Sequence, residues 1–543
     1  MKTLLGMDLD AFVPKLLLDG KQGGRRVLLA QPKLPRQRDL FTILDKRSAD
    51  GWTNAGEMTE FVISPNLKLT VDVRKVSPSA MQCLIGALWS AFPPKKKKSG
   101  QAIVAREIDD NSNLTVWSSE PSARKVAIDV WKAVQAGGAT TDLEAWTTPK
   151  LYGAKLRLTQ MLVGSACSTL PAGSPVLDVM AGTGIVSRML SARYDVSAND
   201  ANPYAALLVR SQGARLSDDP DVVLKRIKKA SERNFRELVE LAPESFAMET
   251  DFLHGELNAK RFEAYERFCQ EPVLAPEGPP SKGRPYQLCV SRYANVYFGL
   301  TQAAQLDSIR AAIDRVSPEQ GDVRDLLLAA LLIAATVCGT GPHFAQPRKL
   351  TAASFRDTIE RRARSIVWEF ELALRRLTAR PPLRRPIRAV TQLDWRDAIS
   401  RFATGLGGRR PAAVYFDPPY SKLQYSRYYH VLNVLISYDY PTIQGVGRYP
   451  PMANRFSSRF ENRPLTAQNE FEQAFDMCRD LGLNTLVSYS DTGFVPIEIL
   501  SASMRARFRE VLEFSERIRH HSQGTRLGEH LGHVTEYVFV GRV

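Results

Sequence analysis

Long apolar runs are missing from this sequence. The most apolar segment, residues 326–337, is shorter than the roughly 20 residues that a membrane-spanning helix needs. Residues 1–10 contain no apolar core of signal-peptide length. These absences predict a soluble, cytoplasmic protein with no membrane anchor, and they favour a buried helix over residues 326–337.

Cysteine is also scarce. The chain has six cysteines, with no Cys-x-x-Cys pair and no nearby histidine at ligand spacing. They are Cys83, Cys167, Cys269, Cys289, Cys338 and Cys478. Scattered cysteines of this kind are typical of reduced, mostly buried thiols in a cytosolic protein. The sequence therefore predicts neither disulfides nor a metal centre.

Acidic residues are outnumbered by basic ones. The 543 residues include 73 Lys+Arg and 58 Asp+Glu, which gives a formal net charge of +15. Such an excess predicts binding to a polyanion, and nucleic acid is the commonest one. The net charge does not separate DNA from RNA, and a merely basic soluble protein remains an alternative. With 44% hydrophobic residues, the chain is long enough for more than one domain.

A strand that ends at an acid is the most informative segment. Residues 414–420 read Val-Tyr-Phe-Asp-Pro-Pro-Tyr. Proline lacks the N–H that a strand needs, so the predicted strand ends at Asp417, at a carboxyl end where open α/β sheets bind ligands. The Asp417 carboxylate, the Pro418 carbonyl and the Tyr420 ring suit a planar ring that carries an amino group, with Pro419 stiffening the turn. A Pro-Pro turn after a buried strand is the alternative.

A glycine-rich turn follows an earlier predicted strand. This strand ends at Asp178, and the turn Ala181-Gly182-Thr183-Gly184 leads into a helix. Glycines allow positive φ and close approach of a ligand at the helix start. Asp200 ends the next strand about twenty residues later, where an acid typically binds ribose hydroxyls. The third glycine of a dinucleotide site and the Lys of a P-loop are absent. A turn without a ligand is the alternative.

Two further segments flank these motifs. Tyr152, Gly153 and Lys155 precede a predicted amphipathic helix, and Asp394 and Trp395 follow a strand-like run. For the second segment, a plain exposed turn is an alternative. In this order, the aromatic-Gly-x-Lys segment, the glycine turn and the Asp-Pro-Pro-Tyr segment resemble DNA adenine-N6 methyltransferases. The resemblance is to the group that carries the cofactor motif first and the catalytic motif later.

Additional segments resemble a subgroup that occurs in restriction–modification systems. They are residues 297–310, residues 337–346 and the Gln-Tyr-x-x-x-Tyr-His-x-Leu segment at 424–432. The resemblance covers roughly residues 148–210 and, patchily, 290–543. It implies a class I methyltransferase (Rossmann-like) α/β fold with a mixed seven-stranded sheet. It also implies transfer of a methyl group from S-adenosylmethionine to a flipped adenine in double-stranded DNA.

The resemblance also implies roles for individual residues. The catalytic candidates are Asp417, Pro418, Pro419 and Tyr420. The cofactor candidates are Tyr152, Gly153, Lys155, Asp178, Ala181, Gly182, Thr183, Gly184, Asp200, Asp394 and Trp395. No metal is expected to take part. Methylation of cytosine N4 or of RNA adenine, and a non-catalytic nucleic-acid-binding protein, are alternatives, and a cognate restriction or defence-system subunit is a candidate partner.

Three regions are predicted along the chain. Residues 1–145 are interpreted as an N-terminal α+β domain of unknown role, with strands at 61–63 and 67–73 and helices at 81–92 and 123–134. Its four lysines at 95–98 predict a loop that either contacts phosphates or is simply solvated. Residues 146–215 and 385–543 form the predicted catalytic domain. Residues 216–384 form a largely helical insert that is a candidate DNA-recognition region.

Arginine and aromatic side chains cluster around this insert and the catalytic strand. Residues 355–380 predict one long amphipathic helix with arginines on its polar faces, which either contact phosphates or form a solvated face with i,i+4 partners. His430 is interpreted as structural. The DNA-binding candidates are Arg361, Arg364, Arg375, Arg384, Arg385, Tyr425, Arg427, Tyr428, Arg455 and Arg459.

Overall fold

The structure, a computed structural model, describes most of the chain after residue 170. The described ranges are residues 170–275, 278–279, 284–341, 343–380, 382–405, 412–420, 424–519 and 533–543, with Leu162, Ser165, Ala166 and the backbone of five short strands before residue 120. The chain divides into two compact units, Met1–Thr147 and Thr148–Val543. The predicted helices at 81–92 and 123–134, the lysines at 95–98, and Tyr152, Gly153 and Lys155 lie outside the described residues.

The first unit contains a five-stranded sheet whose strands follow one another in chain order. The strands are β1 (Leu17–Gln22), β2 (Arg25–Leu29), β3 (Thr59–Ser64), β4 (Leu67–Val71) and β5 (Leu114–Ser118). The pair β2–β3 is parallel and the other pairs are antiparallel. The strands predicted at 61–63 and 67–73 are confirmed, although β4 ends two residues earlier.

The second unit is built on a seven-stranded sheet. Its strands are β6 (Pro175–Asp178), β7 (Asp195–Asn199), β8 (Val390–Thr391), β9 (Ala413–Phe416), β10 (Asn484–Ser490), β11 (Glu510–Arg519) and β12 (His533–Arg542). Their order is β11-β12-β10-β9-β6-β7-β8. Strand β12 runs antiparallel to β10 and β11, whereas the pairs from β10 to β8 are parallel. This is the mixed sheet of the predicted class I methyltransferase fold.

Strand β9 is apolar at every position because both faces of the sheet are covered. Ala413 and Tyr415 pack into the core on one face, and Val414 and Phe416 pack into the core on the other. Successive side chains of a strand point to opposite faces, so a central parallel strand is apolar throughout instead of alternating. The strand ends where the prolines begin, as predicted.

The strand order creates a crevice between β6 and β9. From β6 the chain moves outward through β7 to β8, and it then returns to place β9 on the other side of β6. Connections therefore leave the carboxyl ends of β6 and β9 in opposite directions, and open α/β sheets bind their ligands at such a point. Asp178 ends β6, and Asp417 directly follows β9.

Helices surround this sheet and form the insert. In chain order they are α1 (Ile185–Leu190), α2 (Pro203–Gly213), α3 (Pro220–Leu241), α4 (Pro243–His254), α5 (Ala259–Gln270), α6 (Leu288–Arg292), α7 (Leu300–Val316), α8 (Asp322–Cys338), α9 (Ala352–Arg362), α10 (Ile366–Thr378), α11 (Trp395–Ala403), α12 (Tyr425–Tyr428), α13 (His430–Ser437), α14 (Pro464–Asp480) and α15 (Ile497–Arg505). Two short 3₁₀ turns, Met452–Asn454 and Arg459–Glu461, precede α14.

Helices α3 to α10 lie between β7 and β8 and confirm that the insert is largely helical. Helix α8 is buried along most of its length, which confirms the predicted buried helix at 326–337. The insert shares one core with α2 and α13. Arg210 of α2 forms an ion pair with Asp325 of α8 at 2.9 Å, and Asn433 of α13 accepts a hydrogen bond from the Tyr204 backbone.

The single long helix predicted over residues 355–380 is wrong. The structure has two helices, α9 and α10, separated by residues 363–365. The Ser365 hydroxyl accepts a hydrogen bond from the Trp368 backbone N–H and caps α10. Phe355 and Ile359 of α9 and Ile366 and Phe370 of α10 are all buried. Because the helical spacing of apolar residues continues across the break, this spacing could not predict where the first helix ends.

The predictions drawn from the missing apolar runs and from the scarce cysteines also concern the described residues. None of the helices among them is long and apolar enough to cross a membrane. The four cysteines in this part of the chain, Cys269, Cys289, Cys338 and Cys478, are free thiols, and three of them are buried.

Candidate active site

A cleft opens at the carboxyl ends of β6, β7 and β9. It holds about 1010 Å³ of empty space, with the solvent at its mouth included. Its lining includes Asp178, Ala181, Gly182, Thr183, Asp200, Trp395, Asp417, Pro419, Tyr425 and Glu461. The fold therefore brings the glycine turn, the second acidic strand end and the Asp-Pro-Pro-Tyr segment to one place. We refer to this site as the sheet-edge cleft.

The two positions of the turn require glycine for different structural reasons. Gly182 has φ +53° and Gly184 has φ +76°, both in the left-handed region. A Cβ on Gly184 would lie 2.9 Å from the Val209 Cα in α2, whereas a Cβ on Gly182 would meet nothing within 4 Å. Gly184 therefore lets the turn pack against α2, and Gly182 leaves open space beside the cleft.

Asp178 is a buried acid in the lining. Its Oδ2 accepts a hydrogen bond of 2.6 Å from the Ser187 hydroxyl, and its buried Oδ1 has no partner among the described residues. Burial raises the pKa of Asp178 to about 7, and the nearby carboxyls of Asp417 and Asp200 act in the same direction. An unpaired buried oxygen is costly unless a ligand donates to it.

Asp200 is held by the backbone at the end of β7. Its Oδ2 accepts from the Gly182 N–H at 3.0 Å, and its Oδ1 accepts from the Asn202 N–H at 2.9 Å. Burial raises its pKa. Asn202 Nδ2 also donates to Oδ1, at 3.3 Å. These bonds orient the carboxylate, and Oδ2 keeps a lone pair for a ligand hydroxyl.

Trp395, the first residue of α11, lines the cleft and is fixed from two sides. Its Nε1 donates to Glu470 Oε2 at 3.1 Å, and the Arg396 guanidinium lies 4.2 Å from the ring centroid. Glu470 is 1% exposed and also forms ion pairs with Arg396 at 2.8 Å and Arg459 at 2.9 Å. Glu470 therefore positions a wall of the cleft, and the sequence analysis missed it.

Asp394 is not part of the described lining, although its neighbours Leu393 and Trp395 are. Its carboxylate accepts a hydrogen bond of 3.0 Å from the Arg396 N–H and caps α11. The structure therefore gives Asp394 a local structural role, and its cofactor contact stays a prediction.

Asp417 stands at the edge of the cleft in a defined orientation. Its Oδ1 accepts hydrogen bonds from the Ser488 hydroxyl at 3.0 Å and the Tyr420 hydroxyl at 3.1 Å. Ser488 lies on β10, and its hydroxyl also contacts the Tyr415 hydroxyl at 2.8 Å. Side chains from two neighbouring strands and the following turn thus hold the carboxylate.

Tyr420 is not in the described lining, and Pro418 is buried. The Tyr420 hydroxyl reaches Asp417, and its ring lies edge-on to Tyr489 with 4.8 Å between centroids. In this arrangement Tyr420 orients the acid. The predicted base stacking by Tyr420 and the predicted use of the Pro418 carbonyl stay predictions.

Glu461 is a second lining residue that the sequence analysis missed. It accepts hydrogen bonds from the Tyr425 N–H at 2.9 Å and from the Ser458 N–H at 3.3 Å. Burial, with a smaller contribution from the negative charge of Asp200, raises the pKa of Glu461 to about 7. The Ser-x-x-Glu spacing at 458–461 signals a capped turn, but it does not reveal the neighbouring cleft.

Four acids therefore line the cleft: Asp178, Asp200, Asp417 and Glu461. Among the described lining residues there is no Lys or Arg. A concave surface with one sign of charge attracts ligands of the opposite sign. The described residues contain no group of three or more His, Cys, Asp or Glu side chains that could hold a metal ion.

Several DNA-binding candidates lie close to the cleft. Tyr425 lines it. Arg455 donates a hydrogen bond of 2.8 Å to the side chain of Gln424, the residue before Tyr425. The guanidinium groups of Arg427 and Arg455 lie 5.8 and 5.0 Å from the Tyr449 ring centroid. Arg459 is paired with Glu470, but its side chain is 62% exposed. Tyr428 packs on His343, with 4.3 Å between ring centroids.

The five remaining candidates, Arg361, Arg364, Arg375, Arg384 and Arg385, are not in the described lining. Arg361 pairs with Asp357 one turn away at 3.1 Å, as the solvated-face alternative predicts. Arg375 pairs with Asp221 of α3. Arg364 and Arg384 are exposed. Their contact with DNA stays a prediction.

Arg385 lies near the amino end of β7, away from the cleft. It forms an ion pair of 3.1 Å with Asp195, the first residue of β7, whereas the cleft is at the carboxyl ends. Arg388 pairs with the same acid at 3.0 Å. His430 is buried and contacts the Phe344 carbonyl at 2.9 Å, which agrees with the structural role expected for it.

Comparison with known proteins bears on the segment that contains Asp417. Residues 402–479, which contain Asp417, Glu461 and Glu470, match the family model of D12 class N6 adenine-specific DNA methyltransferase. Modification methylase LlaI of Lactococcus lactis subsp. lactis is 38% identical over 89 residues, which are 16% of this chain and 13% of the relative. The chain thus matches only a small part of that relative's length. No solved structure gives a significant match. The resemblance to adenine-N6 DNA methyltransferases is confirmed: on a class I methyltransferase fold, the chain carries a segment that matches the model of the D12 class N6 adenine-specific DNA methyltransferase family.

Proposed function

We propose that this protein transfers a methyl group from S-adenosylmethionine to the N6 amine of adenine in double-stranded DNA. The observation that carries the proposal is the position of Asp417, at the end of β9 and in one cleft with the glycine turn and the Asp178 and Asp200 carboxyls. Its surrounding segment matches an adenine-specific family.

The residues of the sheet-edge cleft fit this cofactor. S-adenosylmethionine has a net positive charge, which the four lining acids favour. The unpaired Asp178 Oδ1 offers an acceptor, and Gly182 leaves space for close approach. We assign cofactor binding to Asp178, Gly182, Asp200 and Trp395, with Tyr152, Gly153 and Lys155 as further candidates outside the described residues. When bound, the cofactor supplies an activated methyl group.

Asp417 acts on the target amine. The lone pair of adenine N6 is delocalised into the ring, so the amine is a weak nucleophile. The Asp417 carboxylate and the Pro418 carbonyl accept hydrogen bonds from its two protons and localise the pair on nitrogen. Asp417 also takes the proton that the amine loses on methylation. Because Ser488 and Tyr420 already hold the carboxylate, little reorganisation is needed during the reaction.

The target base has to leave the duplex, which costs a few kcal/mol. Stacking on an aromatic ring returns about 1–3 kcal/mol per base. Tyr425 lines the cleft and is our candidate ring for this contact, with Arg427, Arg455 and Arg459 nearby for phosphates. A restriction–modification or defence setting, with a cognate nuclease or other subunit, belongs to the same proposal.

The test compares Asp417→Ala with Asp397→Asn, an exposed acid on the outer face of α11. We expect Asp417→Ala to lower methyl transfer by roughly 10³-fold or more, as for loss of a preorganised catalytic group. Cofactor affinity, measured by calorimetry, should stay within about 2-fold. The Asp397→Asn protein should keep full activity. Unchanged turnover of Asp417→Ala in a radiolabelled-methyl assay would contradict the catalytic role of Asp417.

The product identifies the substrate. DNA from a methylation-free host that expresses this chain should contain N6-methyladenine at defined sites in base-resolution sequencing. N4-methylcytosine in that DNA, or activity only on RNA, would support the alternatives given by the sequence. Absence of cofactor binding would favour a non-catalytic nucleic-acid-binding protein.

A further inference from the structure

A second cleft lies between the insert and the loop after α13. It holds about 960 Å³ of empty space, and its lining includes Asn295, Arg348, Arg362 and Arg448. No Asp or Glu is among the described lining residues. We refer to this site as the arginine cleft.

Arg362 forms its floor and has a buried charge without a carboxylate partner among the described residues. It is 5% exposed. Its Nη1 donates to the Tyr265 hydroxyl at 2.7 Å, and its Nη2 donates to the Asn295 carbonyl at 2.8 Å. The acid beside it, Glu249, instead accepts hydrogen bonds from the backbone at the start of α7. Burying an unpaired charge is expensive, so its retention calls for a counter-charge.

The rim is also cationic. Arg348 shares the carboxylate of Asp357 with Arg361. Arg448 donates to the Arg292 carbonyl at 2.6 Å, a bond that leaves its charge unneutralised. Partial burial lowers the pKa of Arg448, and the positive charge of Arg292 lowers it further. Burial and the neighbouring Arg361 lower the pKa of Arg348 in the same way.

The lip of the cleft is a hydrogen-bonded turn. Gln444 and Tyr449 exchange backbone hydrogen bonds of 2.8 and 3.2 Å across the turn, and Gly445 has φ +64°. The Tyr297 hydroxyl donates to the Gly447 carbonyl at 2.8 Å. The turn therefore presents Arg448 from a defined position, and the cleft is formed before a ligand arrives.

We propose that the arginine cleft binds a phosphate group. A phosphate supplies a negative charge for Arg362 and Arg448, which have no carboxylate partner among the described residues, and its oxygens match the planar donor fork of arginine. The phosphate comes either from the DNA backbone or from a free phosphate compound. The DNA source rests on the proposed function, whereas the free source does not.

The test removes both rim arginines and leaves the buried Arg362 in place. The variant is Arg348→Gln/Arg448→Gln. One control, Arg348→Lys/Arg448→Lys, keeps the charge. The other, Arg233→Gln, removes an exposed arginine on α3 that pairs with Glu237. Melting temperature and S-adenosylmethionine binding show whether each variant is folded. Affinities for a duplex oligonucleotide are measured by fluorescence anisotropy over a series of salt concentrations, with no methyl transfer needed.

If the phosphate is that of DNA, the double Gln variant binds duplex about 10-fold more weakly at 150 mM salt. The slope of log K against log salt then falls by about 1. The Lys variant keeps most of the affinity, and Arg233→Gln stays within about 2-fold of the wild type. If the source is a free compound, DNA affinity is unchanged, but sodium pyrophosphate raises the melting temperature of the wild type and not of the double Gln variant.

The proposal is overturned if neither arm responds. That result is unchanged DNA affinity and slope in the double variant together with no effect of pyrophosphate on the wild type. Because wild-type protein alone reports the pyrophosphate effect, a variant that fails to fold does not remove this arm. Failure of the proposed function appears separately, as absent methyl transfer by the wild-type protein while one of the two binding results is still obtained.

Discussion

The two clefts of the second unit are opposite in charge. The sheet-edge cleft has about 1010 Å³ of empty space and is lined by four acids. The arginine cleft has about 960 Å³ and is lined by three arginines. The first suits a cationic nucleoside, and the second suits a phosphate. A protein that handles both a cationic cofactor and a polyanion needs both kinds of site.

The comparison also shows how such charges are kept available. Asp200 and Glu461 are oriented by backbone N–H groups, and Arg362 and Arg448 are oriented by backbone carbonyls. These bonds satisfy part of each charged group without supplying a full opposite charge. Paired surface residues such as Arg233–Glu237 are neutralised by each other instead. In these two clefts, the backbone-held charges are therefore those with charge left for a ligand.

The largest expected effect separates the two glycines of the sheet-edge cleft. Gly184→Ala should lower the free energy of unfolding by about 2–4 kcal/mol, because the added Cβ is strained at positive φ and lies against the α2 backbone. Gly182→Ala meets no neighbour and should cost about 1 kcal/mol, but its Cβ should weaken cofactor binding.

Urea denaturation and calorimetric titration with S-adenosylmethionine measure these two effects. Equal losses of stability in the two variants would contradict the packing role of Gly184. Unchanged cofactor affinity in Gly182→Ala would contradict the placement of the cofactor against this turn.

Glu470 tests whether a buried acid outside the lining supports the sheet-edge cleft. Glu470→Gln removes the charge that Arg396 and Arg459 share, and it should lower the free energy of unfolding by about 1–3 kcal/mol. Cofactor affinity should fall as Trp395 loses its fixed position. The control is Glu472→Gln, which alters a contact of 3.8 Å with Arg507 and a hydrogen bond of 3.0 Å from Gln468 Nε2, neither of which reaches Trp395.

Trp395→Phe identifies the route of this effect. If Glu470 acts through the indole, Glu470→Gln should weaken cofactor binding much less in a Trp395→Phe background. Additive losses in the double variant would mean that Glu470 acts on the cleft by another path.

The acids of the sheet-edge cleft predict a pH dependence. Burial raises the pKa of both Asp178 and Glu461 to about 7, from 3.8 and 4.5. Between about pH 4 and 7 the folded protein therefore binds more protons than the unfolded chain, and these groups make stability fall as pH rises through this window. A cationic ligand favours the ionised acids, so cofactor affinity should rise between pH 6 and 8, by about 3- to 10-fold.

Calorimetry at several pH values checks this dependence, and Asp178→Asn should flatten it. A cofactor affinity that is constant from pH 6 to 8 would mean that the acids do not face the ligand's positive charge. Duplex binding at the arginine cleft should show no such dependence in this range, because neither arginine nor a DNA phosphodiester titrates there.

The strand ends of the sheet-edge cleft were predictable because their signals are local. Asp178 and Asp417 follow apolar runs, with a glycine turn four residues after the first and prolines directly after the second, and Asp200 ends the next strand about twenty residues after Asp178. Parallel strands then bring their carboxyl ends to one edge without further information. The sequence therefore contained most of this site.

The supporting residues were not predictable, because their roles depend on distant contacts. Glu470 meets Trp395 across 75 positions, and Ser488 meets Asp417 across 71. A buried glutamate and a surface glutamate look alike in a sequence. The arginine cleft was missed for the same reason: Arg361 and Arg362 are adjacent, yet the first is partly exposed and only the second is buried.

Substitution of Asp394 has the smallest expected effect. It distinguishes the cofactor-binding role that the sequence predicts from the helix-capping role that the structure shows. The motif resemblance assigns it to the cofactor, whereas its carboxylate caps α11. Asn is an equally good cap, so Asp394→Asn should change the free energy of unfolding by less than about 0.5 kcal/mol and leave cofactor affinity unchanged. Asp394→Ala should cost about 1 kcal/mol, mainly through loss of the cap, because the other contact of the carboxylate is a long ion pair of 3.7 Å with the partly exposed Arg396. If Asp394→Asn weakened cofactor binding at unchanged stability, the carboxylate would have to reach the ligand, and the resemblance would be the better guide at this position.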